Sequence, residues 1–195
     1  MMASVLRWWR VRKYKKLLAR VTADPRYRRH VEFGQPRRGH PEGTVRAHIA
    51  ELEANLERLR PRLRNAESFW KIRFLIHTHD TFKAEARRGA RIADPDSHAS
   101  LARAFAAEFT TDADLLNMIQ HHDEGYALWR QRARQVGYSK ERLDELLNTI
   151  KDWNLFLVFH VVDGCTAGKD REMVRWLLGE VRRFRTTLVD ESWIL

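Results

Sequence analysis

Ile76-His77-Thr78-His79-Asp80-Thr81-Phe82-Lys83 lies inside an apolar helical pattern, and its reading decides what kind of fold the chain builds. An imidazole beside a carboxylate on an otherwise apolar face is costly to bury unless something cationic satisfies both. A metal ion is the evident candidate. The groups that matter elsewhere are therefore His and carboxylate side chains on faces that the helical period turns inward.

Upstream, Thr44 can cap a helix whose apolar face reads Val45, His48, Ile49, Leu52, Leu56 and Leu59, stopping near Pro61. The quoted stretch ends a second helix from about Ala66, with Phe69, Ile72, Ile76, His79 and Asp80 on one face. After an irregular Arg87 to Pro95, Asp96 or Ser97 opens a helix carrying His98, Leu101, Phe105 and Phe109. Thr111 with Asp114 forms a capping-box pattern before Leu115, Leu116, Ile119, His122 and Tyr126. Ser139 starts a helix through Leu143, Leu146, Leu147 and Ile150. Trp153 to Val162 is almost wholly apolar and predicts a helix buried all round, ending at Asp163-Gly164. A last helix carries Met173, Trp176, Leu177, Val181 and Phe184. No period-2 run is long enough for a core strand, and no repeat of fixed period occurs, so the expected class is all-α.

The N-terminal segment differs in character. Val5, Leu6, Trp8, Trp9, Val11, Tyr14, Leu17, Leu18 and Val21 alternate with Arg7, Arg10, Arg12, Lys13, Lys15, Lys16 and Arg20, which predicts a basic amphipathic helix. Two roles fit it: packing on the domain with Lys and Arg stems along the surface, or contact with an anionic membrane or nucleic-acid backbone. Asp24 to Gly43, rich in Pro and Gly, is expected to be an irregular linker. The organisation read from the chain is residues 1–38 as basic helix and linker, 39–185 as the helical domain and 186–195 as a tail.

Charge follows the same division. The net charge is +10, yet residues 1–39 hold 12 Lys/Arg against Asp24 and Glu32, and the remaining 24 Lys/Arg are balanced by 24 Asp/Glu. Basicity belongs to the N-terminal segment, so the high pI does not describe a nucleic-acid-binding surface spread over the whole molecule. The single Cys165 excludes an internal disulfide and a multi-cysteine zinc site, leaving His and carboxylates as ligands. A reducing cytoplasm is the expected location, since the longest apolar run, Leu155 to Phe159 with Val161 and Val162, is too short to span a bilayer.

Five helices thus carry a His or Asp at positions assigned to the buried face: His48, His79 with Asp80, His98, His122 and Asp163. One such residue is ordinarily a hydrogen-bonded core group. Five separate burials, at about 1–3 kcal/mol for each unpaired group, would consume much of a domain's stability unless they satisfy one another or share an ion.

The order His48, then His79-Asp80, then Asp163 on a later helix resembles the HD-domain superfamily of metal-dependent phosphohydrolases. His79-Asp80-Thr81-Phe82-Lys83 is similar to the His-Asp-x-Gly-Lys form common there, with Phe82 in place of the glycine. His40-Pro41-Glu42-Gly43-Thr44-Val45, leading to His48, resembles the segment before the first ligand in several members, including tRNA nucleotidyltransferases. The resemblance covers about residues 39 to 185 and implies an HD-domain-like helical bundle. It implies that His48, His79, Asp80 and Asp163 hold one divalent ion, with Asp80 placed to bridge to a second.

Members with two metals draw further histidines from the interval occupied here by His98 and the His121-His122 doublet, of which His122 lies three residues past Ile119. The alternative is that these histidines only line the pocket. Imidazole and carboxylate ligands suit Mn, Fe, Co, Ni or Zn, one or two per chain. His160, one turn before Asp163, and His77 are expected to support the ligands from behind or to have structural roles.

The activity implied is hydrolysis of a phosphomonoester or phosphodiester, of a nucleotide or nucleotide-like compound, by metal-activated hydroxide. Asp80 would orient the water or take its proton, and Lys83 and Arg46 would steady charge on the ester. Two other functions fit the same residues: a non-catalytic nucleotide-sensing module docking through its basic N-terminal helix, and an HD-type iron oxygenase or hydratase.

Overall fold

The structure, a computed structural model, describes residues 2–134 and 137–195, with the side chains of residues 2–8 and 10 outside that description. The expectations resting on Val5, Leu6, Arg7, Trp8 and Arg10 therefore lie outside the described residues. Among the described residues the fold is all-α, as the periodicity predicts, with one isolated bridge between Arg37 and His40. In chain order the helices are α1 Met2–Ala23, α2 Pro25–His30, α3 Val45–Leu59, α4 Ala66–Thr78, α5 His98–Ala107, α6 Ala113–His121, α7 Glu124–Arg134, α8 Lys140–Thr149, α9 Trp153–Gly164 and α10 Glu172–Arg182. No described helix is long and apolar enough to cross a membrane.

Helix α4 is the hub. It packs against α1, α3, α5, α6 and α9, while α9 also meets α3 and α10. Between Trp153 and Val162 only Asn154 of α9 escapes full burial, which accounts for a sequence with almost no polar face. Tyr14, Leu17, Leu18 and Val21 of α1 are buried in the core that α4 shares, and Arg12, Lys13, Lys15, Lys16 and Arg20 point outward. The final residues also pack: Val189 and Trp193 are buried, and Arg62 bonds to Ser192 while lying over the Trp193 ring.

Several local expectations need correction. The segment expected to be an irregular linker contains α2, because Asp24 accepts a hydrogen bond from the Arg26 amide and Pro25 fills the first helical position. Tyr27 and His30 are its buried anchors. The cap of α6 is Asp112, not the pair Thr111 and Asp114. Asp112 accepts from Leu115 N, whereas Asp114 turns away to accept from the amides of Lys151 and Asp152. The pattern from Leu115 to Tyr126 is broken at His122, and Tyr126 belongs to α7. Phe184 lies past the end of α10 and is exposed, so it is not part of that helix's inner face.

Candidate metal centre

The candidate ligands sit at helix ends, and the ends converge. His48 is in the first turn of α3, and His79 and Asp80 follow the last residue of α4. His98 opens α5, His122 caps the C-terminus of α6, and Asp163 is the penultimate residue of α9. The C-termini of α4, α6 and α9 bring partial negative charge to one place, which favours a cation there.

Backbone hydrogen bonds fix which nitrogen each ring presents. His79 Nδ1 faces the carbonyls of Leu75 and Ile76 at 3.1 and 3.0 Å, and His122 Nδ1 faces Ile119 O at 2.7 Å. A carbonyl only accepts, so both rings carry a proton on Nδ1 and direct Nε2 inward, where an ion would take the place of any second proton on His122. His79 Nε2 lies 3.4 Å from Asp80 Oδ2, and His122 Nε2 lies 3.4 Å from Asp80 Oδ1 and 3.1 Å from His98 Nε2. On the other side His48 Nε2 bonds to Asp163 Oδ1 at 2.9 Å. Lys83 pairs with Asp80, and Lys169 pairs with Asp163 at 2.9 Å.

The groups titrate as burial and these neighbours dictate. Burial alone would raise the Asp80 carboxyl, but His79 and Lys83 hold it well below the carboxylate range. Burial opposes ionisation of Asp163 too, and Lys169 and His48 overcome it. Burial lowers His79. His122 ends at about 9 because Asp123 and Asp80 outweigh the cost of burying its charge.

His79 Nε2 and Asp80 Oδ1 are buried and have no hydrogen-bond partner. Left so, each costs about 1–3 kcal/mol. The 3.4 Å separations of His79 Nε2 from Asp80 Oδ2 and of His122 Nε2 from Asp80 Oδ1 match neighbouring ligands around an ion with bonds of about 2.1 Å. Among the described residues, His48, His79 and Asp80 form one group able to hold a metal ion, and Asp80, His98 and His122 form another. The residues present therefore fit a divalent ion, and Asp80 is common to both groups.

Other expected site residues lie elsewhere. Arg46 pairs with Glu32 through Nε at 2.7 Å on the exposed side of α3, so its guanidinium is spent at the surface. His77 is tied by Tyr27 Oη at 2.5 Å and Glu53 at 3.0 Å, away from the cluster. His121 faces a separate cleft with Arg91, Glu124, Arg142 and Glu145. His160 packs its ring against Phe156, and its buried Nε2 has no partner; burial pushes it down to about 4.

Three groups at the centre were not singled out from the sequence. Asp123 Oδ2 is 3.1 Å from His98 Nε2; the unbroken run His121-His122-Asp123 was the available signal. Lys169 follows Gly168, whose positive φ of 78° lets the loop pass close to Pro41, and Arg171 holds that loop through the carbonyls of Cys165 and Thr166. Glu42 Oε1 lies 2.9 Å from His40 Nδ1. No known family, curated protein or solved structure matches the chain.

Proposed function

We propose that this chain is a metal-dependent phosphohydrolase of the HD-domain type, cleaving a phosphomonoester or phosphodiester of a nucleotide or nucleotide-like compound. The observation that supports it is the pair of buried, unpartnered ligand atoms, His79 Nε2 and Asp80 Oδ1, inside a ring of imidazoles and carboxylates drawn from five helices. The order of His48, His79-Asp80 and Asp163 along the chain supports the HD reading, and the nucleotide class rests on the same resemblance.

His79, Asp80, His98 and His122 would hold the ion or ions, with His48 and Asp163 at the edge of the set. A divalent ion there supplies Lewis acidity, polarising a phosphoryl oxygen and lowering the pKa of water enough for attack near neutral pH. The chain supplies the rest. Backbone carbonyls lock His79 and His122 so that Nε2 stays directed inward. Phe159, edge-on to His79, closes the back of the centre to water. Asp80 would orient the attacking water from beside the ion. Lys83 and Lys169 are the cations beside the two carboxylates, placed to take up the negative charge of the ester.

The test is protein loaded with Mn or Co and offered nucleotides and an aryl phosphate. The expected result is phosphate release that a chelator stops and Asp80→Asn abolishes. No turnover with any divalent metal would overturn the reading. Oxygen consumption by an iron-loaded sample without phosphate release would transfer it to an oxygenase.

A further inference from the structure

We propose that the loop ahead of α3 builds a separate cation position at the mouth of the centre, held by Glu42, His40 and the Nδ1 of His48, and suited to a divalent transition ion. The inference does not depend on what the inner centre catalyses.

It starts from His48. Its Nε2 is hydrogen-bonded to Asp163 Oδ1 at 2.9 Å, and a carboxylate only accepts, so the ring proton resides there. The lone pair is then on Nδ1, which is buried and makes no hydrogen bond. Glu42 Oε1 stands 2.9 Å from that Nδ1 but off the line a hydrogen bond requires. Two ligands at right angles around an ion with bonds of about 2.1 Å stand about 3 Å apart, each aimed at the ion and past the other. That is the relation seen here.

Glu42 adds a second unsatisfied atom. Its side chain is only 4% exposed, yet Oε2 is buried without a partner. His40 completes the group: its Nδ1 is 2.9 Å from Glu42 Oε1, its ring stands edge-on to that of His48, and donor atoms of the three residues lie within 4.8 Å of one another. Asp163 behind His48 makes the carboxylate–histidine–metal arrangement that orients ligating imidazoles.

The loop is set by its backbone. Gly43 has φ of 83°, and a Cβ there would lie 2.9 Å from the Pro36 ring, so the turn that presents Glu42 requires glycine. Lys83, which lines the same pocket as His40, and Lys169 are each paired with their own carboxylates, Asp80 and Asp163. A neutral imidazole has one lone pair. With its Nε2 proton on Asp163, His48 serves the outer ion, and the inner ligands are His79, Asp80, His98 and His122. Two imidazoles and a carboxylate suit Zn, Co or Mn.

The experiment is uptake of Co(II) by the metal-stripped full chain, with bound equivalents counted by metal analysis after dialysis and the sites followed by visible absorption. The unsubstituted protein is expected to hold one equivalent more than Glu42→Ala, with the inner affinity of that variant changed less than about 3-fold. His40→Ala, at a side chain 23% exposed, should weaken the same equivalent by about 10-fold or more, and it serves as the readout if Glu42→Ala does not fold. Asp80→Ala should lose inner ions and keep the outer one.

A Glu42→Ala protein that binds as many equivalents as the unsubstituted chain overturns the proposal, whether or not its affinity has fallen. Loss of every ion in Asp80→Ala also overturns it and leaves the inner centre standing. The converse, an outer ion retained with no inner one in the unsubstituted chain, removes the phosphohydrolase reading and leaves this one intact.

Discussion

His160 makes the fold acid-sensitive in a way that one substitution should expose. Its ring is 2% exposed, Nε2 has no partner, and burial brings it from 6.5 to about 4. Above about pH 6.5 the ring is neutral in both folded and unfolded chains, and its full contribution is present. As pH falls from there, the unfolded chain takes up a proton that the folded chain refuses, so stability is lost down through about pH 4.

At about pH 4.5 the loss amounts to about 2.5 kcal/mol, a large share of a domain's margin. His160→Leu keeps nearly the same volume against Phe156 and removes the titration. Urea unfolding of both proteins, in chelator, at about pH 7.5 and about pH 4.5 measures the difference directly. The variant should gain about 2.5 kcal/mol on the parent over that interval. Asp80 and Asp163, whose carboxyls are held low, also weaken the fold in acid, but equally in the two proteins. Parallel losses in parent and variant would refute the reasoning.

Two further substitutions test the packing that brings the centre together. A Cβ on Gly164 would lie 2.3 Å from Val174 Cγ2, and a β-branched neighbour cannot rotate away, so Gly164→Ala should cost about 1–3 kcal/mol in urea unfolding. An unchanged midpoint would mean that α9 and α10 can part. Glu124 is 5% exposed and forks onto Arg142 at 2.6 and 2.8 Å, so Arg142→Ala should cost about 1–3 kcal/mol, less than for a fully buried pair because Arg142 is a third exposed. Replacing both with Leu should recover part of that loss, and a double variant weaker than the single would count against an unpaired carboxylate as the cause.

Long helices were legible because their apolar period and their caps agree. Thr44, Ser97 and Ser139 each accept the amide hydrogen bond that starts a helix, and the apolar run of α9 has no exposed face to interrupt it. Helix α2 was hidden because six residues, four of them basic or His, carry no periodic signal, and burial of Tyr27 and His30 decides the matter. The break between α6 and α7 was also hidden, since neither Pro nor Gly marks His122. Gly125 comes three residues later, where a side chain would meet Leu177. In the centre, His and Asp on inward faces could be recognised one helix at a time. Asp123, Lys169 and Glu42 were less legible, because each lies in a connection whose direction depends on the packed partner opposite, and only the run His121-His122-Asp123 marked one of them.

Phe82 occupies the place where the similar His-Asp motifs carry glycine, and its surroundings explain how. No described residue other than glycine has positive φ, so the turn after Asp80 needs no special backbone. The hydroxyls of Thr78 and Thr81 reach back to the carbonyls of Phe74 and His77 and finish the frayed helix end instead. The Phe82 ring is thereby released to lie between His30 and Phe105. A position that elsewhere holds the least bulky residue has become a wedge joining the chain's opening segment to the turn that bears the ligands. Loosening the first 30 residues would accordingly be felt as slack among the candidate metal ligands, with none of them touched.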